Sequence, residues 1–485
     1  MSTGHRSFVP RKACTRCSTQ KRRCDKAVPQ CGNCSRLHQE CKYELPDGSL
    51  LSPSPSSPPR SEFLFSLSQA NTPTHLRDTV IARLDKLTPD NIFSTYARAI
   101  DPWFPVVSIS GLRTRSPTTW EEAPFDVVLL CLSINLFATN PPTSSDTDVD
   151  ASDFKSLYLY TKSVLASTEA LGVNSVLVVQ SRLLVTLFEI GHGFYPAAYI
   201  SIGTTVRAAE ALEAYPDTIA STSLLADDQM RQEELGSTWR GIQALDRYVA
   251  VESGPYPTIT GARTQFFHGL LKPTACMSQR HEENRTNPAS TLARFSESSY
   301  LLDNVYTALH SPTYEEGFNI EEITLTVQTL SNLQTILIEE TGDKLPLYNV
   351  GLSLCNIALL LAFENGSKMA PTASSIENVN YVATQALVST LSAVASAVEP
   401  FTNGTQSVDF ELLPPFIIFL VYKAAAIVTE RLLMGSDSTE DELKRLRALR
   451  KFLRVVGERW LGCKRYLDFL NEDTTPRILK AIEQG

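Results

Sequence analysis

Along most of the chain, apolar residues recur with the spacing of helices, and strand-like alternation is scarce. Val80, Leu84 and Leu87 stand four and three residues apart. Ile202, Val206, Ala209 and Leu212 repeat the pattern behind Pro196, which suits the first turn of a helix. Leu443, Leu446, Leu449, Leu453, Val456 and Trp460 keep the same period. Ahead of them Gly435 fits a helix stop, and Ser438 with Asp441 resembles a capping box. These patterns predict roughly a dozen helices, packed as one large all-α domain over residues 74–485. The loops are expected at 108–118, 141–153, 255–290 and 366–375. The apolar stretches 346–363 and 412–433 read as core helices that could also line a pocket or dimer interface. No fixed-period repeat is evident, which disfavours a solenoid.

The periodicity stops short of the N-terminus. Residues 44–73 include Leu51-Ser-Pro-Ser-Pro-Ser-Ser-Pro-Pro59, too rich in Pro and Ser to pack, and are expected to form a semi-stiff linker. The patch Phe63–Leu67 is shorter than one heptad and supports no coiled coil there. Residues 1–43 have no apolar periodicity at all, and their content is cysteine and positive charge. The fold class is therefore mostly α, with a small N-terminal module, a Pro/Ser-rich linker and a large helical domain.

Composition adds constraints. At 485 residues the chain exceeds one ordinary core. The runs Phe416–Tyr422 and Val350–Phe363 fall below the ~18 uninterrupted apolar residues of a spanning helix, so no membrane partner is expected. The polar, basic N-terminus shows no signal-peptide pattern, so the cysteines are expected in a reducing compartment, where metal binding prevails over disulfides. Residues 1–43 hold ten Lys/Arg against two Asp/Glu, a formal +8. The whole chain is −9, so the remainder carries −9 − 8 = −17. A basic head on an acidic body suits a polyanion-binding module joined to a larger domain.

Six of the ten cysteines lie between Cys14 and Cys41. They read Cys14-x2-Cys17-x6-Cys24-x6-Cys31-x2-Cys34-x6-Cys41, one Cys-x2-Cys-x6-Cys half used twice. Two thiolates of a Cys-x2-Cys turn can reach one metal, and the six-residue loop returns a third. Two tetrahedral zinc ions need eight ligand positions, which six thiolates fill if two of them bridge. The repeat makes the equivalent residues Cys14 and Cys31 the candidates for bridging. A disulfide framework, an iron–sulfur site and a mononuclear site using His38 are the competing readings. The scattered Cys131, Cys276, Cys355 and Cys463 sit among apolar neighbours and read as small buried hydrophobes.

The spacing, the basic run Lys21-Arg22-Arg23 ending on Cys24-Asp25, and Pro29 two residues before the fourth cysteine resemble the fungal binuclear zinc-cluster family. The resemblance implies two Zn2+ per chain, bridging by the first and fourth cysteines, and a tight turn at Pro29 with a cis bond. It also implies double-stranded DNA as partner, read by a helix in the major groove, with dimer spacing setting half-site separation. The helices expected after each Cys-x2-Cys are Ser18–Arg23 and Ser35–Gln39. Lys21 aligns with the lysine that family members use on a CGG-type triplet. Gln20 and Ser18 stand where many relatives have basic residues, which leaves the half-site open. Arg11, Lys12, Arg16, Arg22, Arg23 and Lys26 read as phosphate contacts.

Further loose resemblances link residues 90–260 to the regulatory (middle homology) domain of such proteins. They are Asp101-Pro-Trp-Phe-Pro105, Glu189-x-Gly191 with Gly203-x3-Arg207-Ala-Ala209, and Trp239 with Leu245-Asp246-Arg247 and Gly254-Pro255-Tyr-Pro257. Leu235-Gly236 replaces an arginine pair usual before that Trp. Asp246 and Arg247 read as a structural ion pair. No phosphate loop, nucleophile elbow or zinc-protease motif is found, so no enzyme is expected. The expected function is a nuclear, sequence-specific regulator of RNA polymerase II genes for a metabolic or secondary-metabolite pathway. Its expected partners are DNA, co-regulators or the transcription machinery, and a second copy as a homodimer. The rival readings are a zinc module that binds another protein and a ligand-sensing helical regulator.

Overall fold

The helical period is realised, and it builds more helices than it advertised. A computed structural model describes residues 12–27, 31–36, 41–44, 50–51, 73–84, 86–115, 119–142, 148–212, 226–254, 256–261, 288–342, 346–368, 376–435 and 439–483. The chain divides into two units, Met1–Thr72 and Pro73–Gly485. The first unit, the head, contains the one-turn helices α1 (Thr15–Thr19) and α2 (Gly32–Arg36). Two-residue strands β1 (Tyr43–Glu44) and β2 (Leu50–Leu51) pair antiparallel, with Tyr43 opposite Leu51.

The second unit, the body, holds sixteen α-helices among the described residues. They are α3 (Pro73–Leu84), α4 (Pro89–Ala99), α5 (Ile109–Arg115), α6 (Phe125–Ala138), α7 (Asp148–Ala170), α8 (Val176–Gly191), α9 (Ala197–Glu210) and α10 (Ala226–Ser253). There follow α11 (Pro288–His310), α12 (Glu316–Thr341), α13 (Val350–Lys368), α14 (Ile376–Thr402), α15 (Phe416–Leu433), α16 (Thr439–Val456), α17 (Gly462–Glu472) and α18 (Pro476–Glu483). Local chemistry sets several ends. Thr88 caps α4 by accepting from the Asn91 amide, and Ser175 does the same for α8 at Val178. Gly435, at φ 80°, stops α15 as its position suggested. Ser438 lies outside the described residues.

Two helices that are apolar on every side organise the packing, because such a helix must be surrounded. The first, α6, is covered by α3, α4, α7 and α8. The second, α13, is covered by α11, α12, α14 and α15. By length and composition α13 and Asn380–Thr402 of α14 could each cross a membrane, contrary to the reading of Val350–Phe363 as too short. In α13 most of that stretch is buried inside the body. The 412–433 stretch also becomes core, with Phe416, Ile417 and Val421 fully buried in α15.

Other expectations need correction. The 108–118 loop contains α5, held by the fully buried Leu112. The 141–153 loop gives way to α7 at Asp148, whose acidic first residues suit a helix N-terminus but masked its period. Helix α13 runs on to Lys368, which ion-pairs with Glu364 and Glu430 at 3.0 and 2.8 Å. Leu87, Leu212 and Trp460 follow their helices, and Pro196 is the residue before α9. Asp246 and Arg247 do not pair through hydrogen bonds with each other. The Asp246 carboxylate accepts from the amide and hydroxyl of Thr260 at 2.7 Å, and Arg247 faces Asp303 at 3.6 Å. Adjacent residues of a helix diverge by about 100°, so each bonds a different neighbour while the two charges still favour each other.

Most of the motifs noted in 90–260 are packing devices. The Tyr96 hydroxyl donates to Phe104 and accepts from the amides of Val106 and Val107, fixing the turn after Asp101. Glu189 is fully buried against Lys162 at 2.8 Å and Tyr158 at 2.7 Å. A Cβ on Gly191 would lie 2.4 Å from the Trp460 ring, so the glycine makes room for that indole. Next to it, the Arg459 guanidinium lies 4.0 Å from the Trp460 ring and donates to the carbonyl of Phe137 at 2.6 Å. It thereby closes the C-terminus of α6, with the Glu411 carboxylate acting on its charge from further off. Cys131, Cys355 and Cys463 are buried free thiols, and Cys276 lies outside the described residues.

Candidate metal centre and nucleic-acid interface

The head buries sulfur in place of hydrocarbon. Cys14, Cys17, Cys31, Cys34 and Cys41 are buried, together with Tyr43, and Cys24 packs against them half-buried. The sulfurs form two four-membered sets, Cys14–Cys17–Cys24–Cys31 and Cys14–Cys31–Cys34–Cys41, each within 4.8 Å throughout. The sets share Cys14 and Cys31, whose sulfurs are 3.8 Å apart. Cys14 and Cys34 stand at 3.7 Å. A tetrahedron with zinc–sulfur bonds of about 2.3 Å has edges of roughly 3.8 Å, so the spacing fits a metal and exceeds any disulfide. Burial pushes the Cys14 thiol far up and the Cys34 thiol to about 12, with neighbouring sulfurs reinforcing the latter. Burial also raises Cys24, but backbone hydrogen bonds at Cys14 and Lys26 outweigh it and leave the thiol at about 7. Sulfurs crowded in this way need a cation among them before they all ionise.

Polar contacts from outside the six cysteines lock the frame. The Thr15 amide and hydroxyl both donate to the Lys42 carbonyl, at 2.8 and 3.1 Å, tying α1 to the segment after the sixth cysteine. Asn33 donates to the Cys17 sulfur at 3.4 Å, linking the halves. Both Asp25 oxygens accept the Gly32 amide at 3.0 Å, capping α2 from the end of the first half. A Cβ on Gly32 would stand 2.8 Å from that carboxylate, so any larger residue would push the Asp25 side chain back from the cap. Tyr43 donates to the Ala27 carbonyl at 2.9 Å and its hydroxyl lies 3.9 Å from the Cys24 sulfur. Asn33 and Tyr43 escaped the sequence reading. Tyr43 had one signal, an aromatic two residues past the last cysteine in an otherwise polar segment.

The helices of the head differ from expectation. The described helical residues take in the Cys-x2-Cys turns, so Ser18–Arg23 is helical only through Thr19, while Ser35–Gln39 is helical at Ser35 and Arg36 and its remainder lies outside the described residues. Residues 37–40, with His38, lie outside the described residues, as do Arg11 and Pro29. Gln20 is the C-cap of α1, and Lys21 beyond it has φ 50°. The Lys21 amide donates to Ser18 and the Arg22 amide to Cys17, at 3.1 and 2.9 Å. That pair of bonds is a Schellman closure, whose left-handed position normally goes to glycine. Lys12, Gln20, Lys21, Arg22, Arg23 and Lys26 are exposed, and Arg16 is half-buried. Lys26 also takes a left-handed conformation, at φ 58°.

Residues 12–49 match the family model of the fungal Zn(2)-Cys(6) binuclear cluster domain. The head is a zinc-cluster domain of that family. A domain of this kind binds two zinc ions, and the two sulfur sets are the groups that could hold them. Two curated relatives are similar beyond chance. Transcription factor BOA15 of Botryotinia fuckeliana is 29% identical over 133 residues, covering 27% of this chain and 70% of the relative. The depudecin biosynthesis cluster-specific transcription activator DEP6 of Fusarium langsethiae is 51% identical over 37 residues, 8% of this chain and 6% of the relative. The cluster domain and these relatives together support a DNA-binding transcription regulator.

Proposed function

We propose that the chain is a nuclear, sequence-specific regulator of RNA polymerase II genes whose zinc cluster reads a CGG-like half-site in the major groove. Cys14, Cys17, Cys24, Cys31, Cys34 and Cys41 are the metal ligands, with Cys14 and Cys31 bridging. The observation that supports this most is the sharing of those two sulfurs by both four-sulfur sets. Zinc, when bound, supplies the charge that keeps the thiolates ionised and the frame rigid. The chain's own side chains then do the recognition. Lys21 contacts a guanine edge, and its left-handed backbone supports that role. A lysine held where glycine would be easier is a cost kept for a reason outside the fold. Gln20 flanks it, while Lys12, Arg16, Arg22, Arg23, Lys26 and Arg11 contact phosphates. The body regulates, and the relative named for a biosynthetic cluster favours a secondary-metabolite pathway.

Selecting bound sequences from random DNA with the full chain tests this reading. A CGG-containing consensus is expected for the natural protein. Lys21→Ala should relax that triplet by the roughly 1–3 kcal/mol of a good base contact while sparing most salt-dependent affinity. An unchanged consensus would remove Lys21 from the role, and no enrichment at all would overturn sequence-specific reading.

A further inference from the structure

The body's negative charge is concentrated. Residues 295–343 contain nine Asp/Glu and no Lys or Arg, so this one stretch equals the net charge of the whole chain. It comprises most of α11, the turn after it and α12. Helix α12 is seated by one stripe, with Leu330, Leu333 and Leu337 buried against α11 and α13. A second stripe is not covered. Phe318 and Leu325 are 54% and 56% exposed, and Ile336 is 40% exposed. At 3.6 residues per turn these three fall within about 20° of one another and span about 27 Å, with the exposed Thr329 and Asn332 on the same face between Leu325 and Ile336. Glu321, Glu322 and Glu339 flank them without an ion-pair partner among the described residues. Tyr314, just before the helix, is fully exposed.

An apolar stripe edged by unpaired glutamates has a definite complement. Solvation alone explains the charges but leaves three large exposed hydrophobics in register unexplained. A second copy of the chain would set glutamate against glutamate, which disfavours self-association through this face. A lipid surface would be repelled for the same reason. We propose that the Phe318–Leu325–Ile336 face of α12 docks into an apolar groove rimmed by Lys and Arg on a protein of the transcription apparatus. The side chains would fill the groove and the glutamates would meet its rim, a helix-in-groove contact steered by charge. The proposal rests on reading the chain as a transcription regulator, and the test separates the two.

The full chain is fused to an unrelated sequence-specific DNA-binding domain, so that reporter output no longer depends on the zinc cluster. The fusion should change output relative to that domain alone, in either direction. Phe318→Ala with Leu325→Ala, and separately Glu321→Lys with Glu322→Lys, should each reduce that change at least tenfold. Glu458→Lys with Glu472→Lys, equal in charge at exposed sites elsewhere, should leave it intact. In solution, a labelled amphipathic helical peptide of leucine and lysine serves as the probe. Its binding should weaken several-fold with the Glu321/Glu322 pair and not with the Glu458/Glu472 pair. Output or peptide binding indifferent to the α12 substitutions would overturn the proposal. So would a fusion no different from the bare domain, or sedimentation showing a dimer that the same substitutions dissolve. Failure of the zinc cluster to select DNA would leave these results standing.

Discussion

The head and the body of this chain hold their shapes by opposite means. The buried set of the head is five cysteines and one tyrosine, with Cys24 beside them. The body surrounds α6 and α13 with a continuous core in which aromatic rings such as Trp103, Phe137, Phe416 and Trp460 contact one another. One unit stores its fold in a few ligand positions, and the other spreads it over scores of small contacts. A segment too short to bury a core needs a metal, whereas the body has area enough to do without. The two should therefore fail independently and under different insults.

The largest effect should come from removing zinc. Structural zinc contributes roughly 10–16 kcal/mol of apparent binding free energy in small metal-folded modules. Chelation, or Cys14→Ala, should abolish specific DNA binding while the helical circular dichroism and thermal transition of the body persist. Native mass spectrometry of the full chain should show two zinc ions before chelation, and one or none would refute the binuclear arrangement. The reciprocal experiment is Phe416→Ala, which empties a fully buried position touching Trp103, Tyr248 and Phe295. A loss of about 3–5 kcal/mol in body stability is expected, with zinc content unchanged.

A smaller effect should follow pH. The Glu252 carboxylate takes hydrogen bonds from the hydroxyls of Tyr195, Tyr466 and Tyr248, yet burial prevails and raises it to about 7. A carboxyl raised on folding stabilises fully below its unfolded value near 4.3, and that contribution fades as pH rises through about 7. The melting temperature of the body should thus fall by roughly several degrees between pH 5 and 8, and Glu252→Gln should flatten the slope. A slope identical in the variant would assign the pH dependence elsewhere. The smallest change sharpens the contrast most. Lys21→Gly should leave the head unharmed or raise its stability by about 0.4–1 kcal/mol, because glycine accepts φ 50° freely. DNA selectivity should nevertheless decline, and competition footprints measure it. If stability and selectivity fell together, the left-handed lysine would be a structural element and not a reader.

The two units also differed in how much of them the sequence disclosed. Cysteine spacing is local chemistry, so the two sulfur sets and the two sulfurs they share could be anticipated from the order of residues. The backbone of Lys21 could not, since a left-handed turn announces itself through glycine and lysine conceals it. In the body, α13 and α15 were visible as apolar runs, whereas α6 was not singled out, and the neighbours of all three depend on contacts far apart in sequence. Arg459 reaching the carbonyl of Phe137 has no local signature. Asp246 and Arg247 were legible only in part: their charges do act on each other, but adjacency in a helix turns their hydrogen bonds to separate partners, Thr260 and Ser299. The start of α7 was hidden by acidic residues that a polarity rule assigns to loops.

The bond from Arg459 to the end of α6 has a genetic consequence. A premature stop between codons 73 and 459 deletes the guanidinium that closes that helix and the indole that fills the space left by Gly191. The early helices then lose their closing partner, however much of the body has been translated. The cysteine head, encoded wholly upstream and folded by its metal, is spared. Truncating alleles of this gene should accordingly yield a product that occupies target sites without answering for them, and such alleles should behave as dominant.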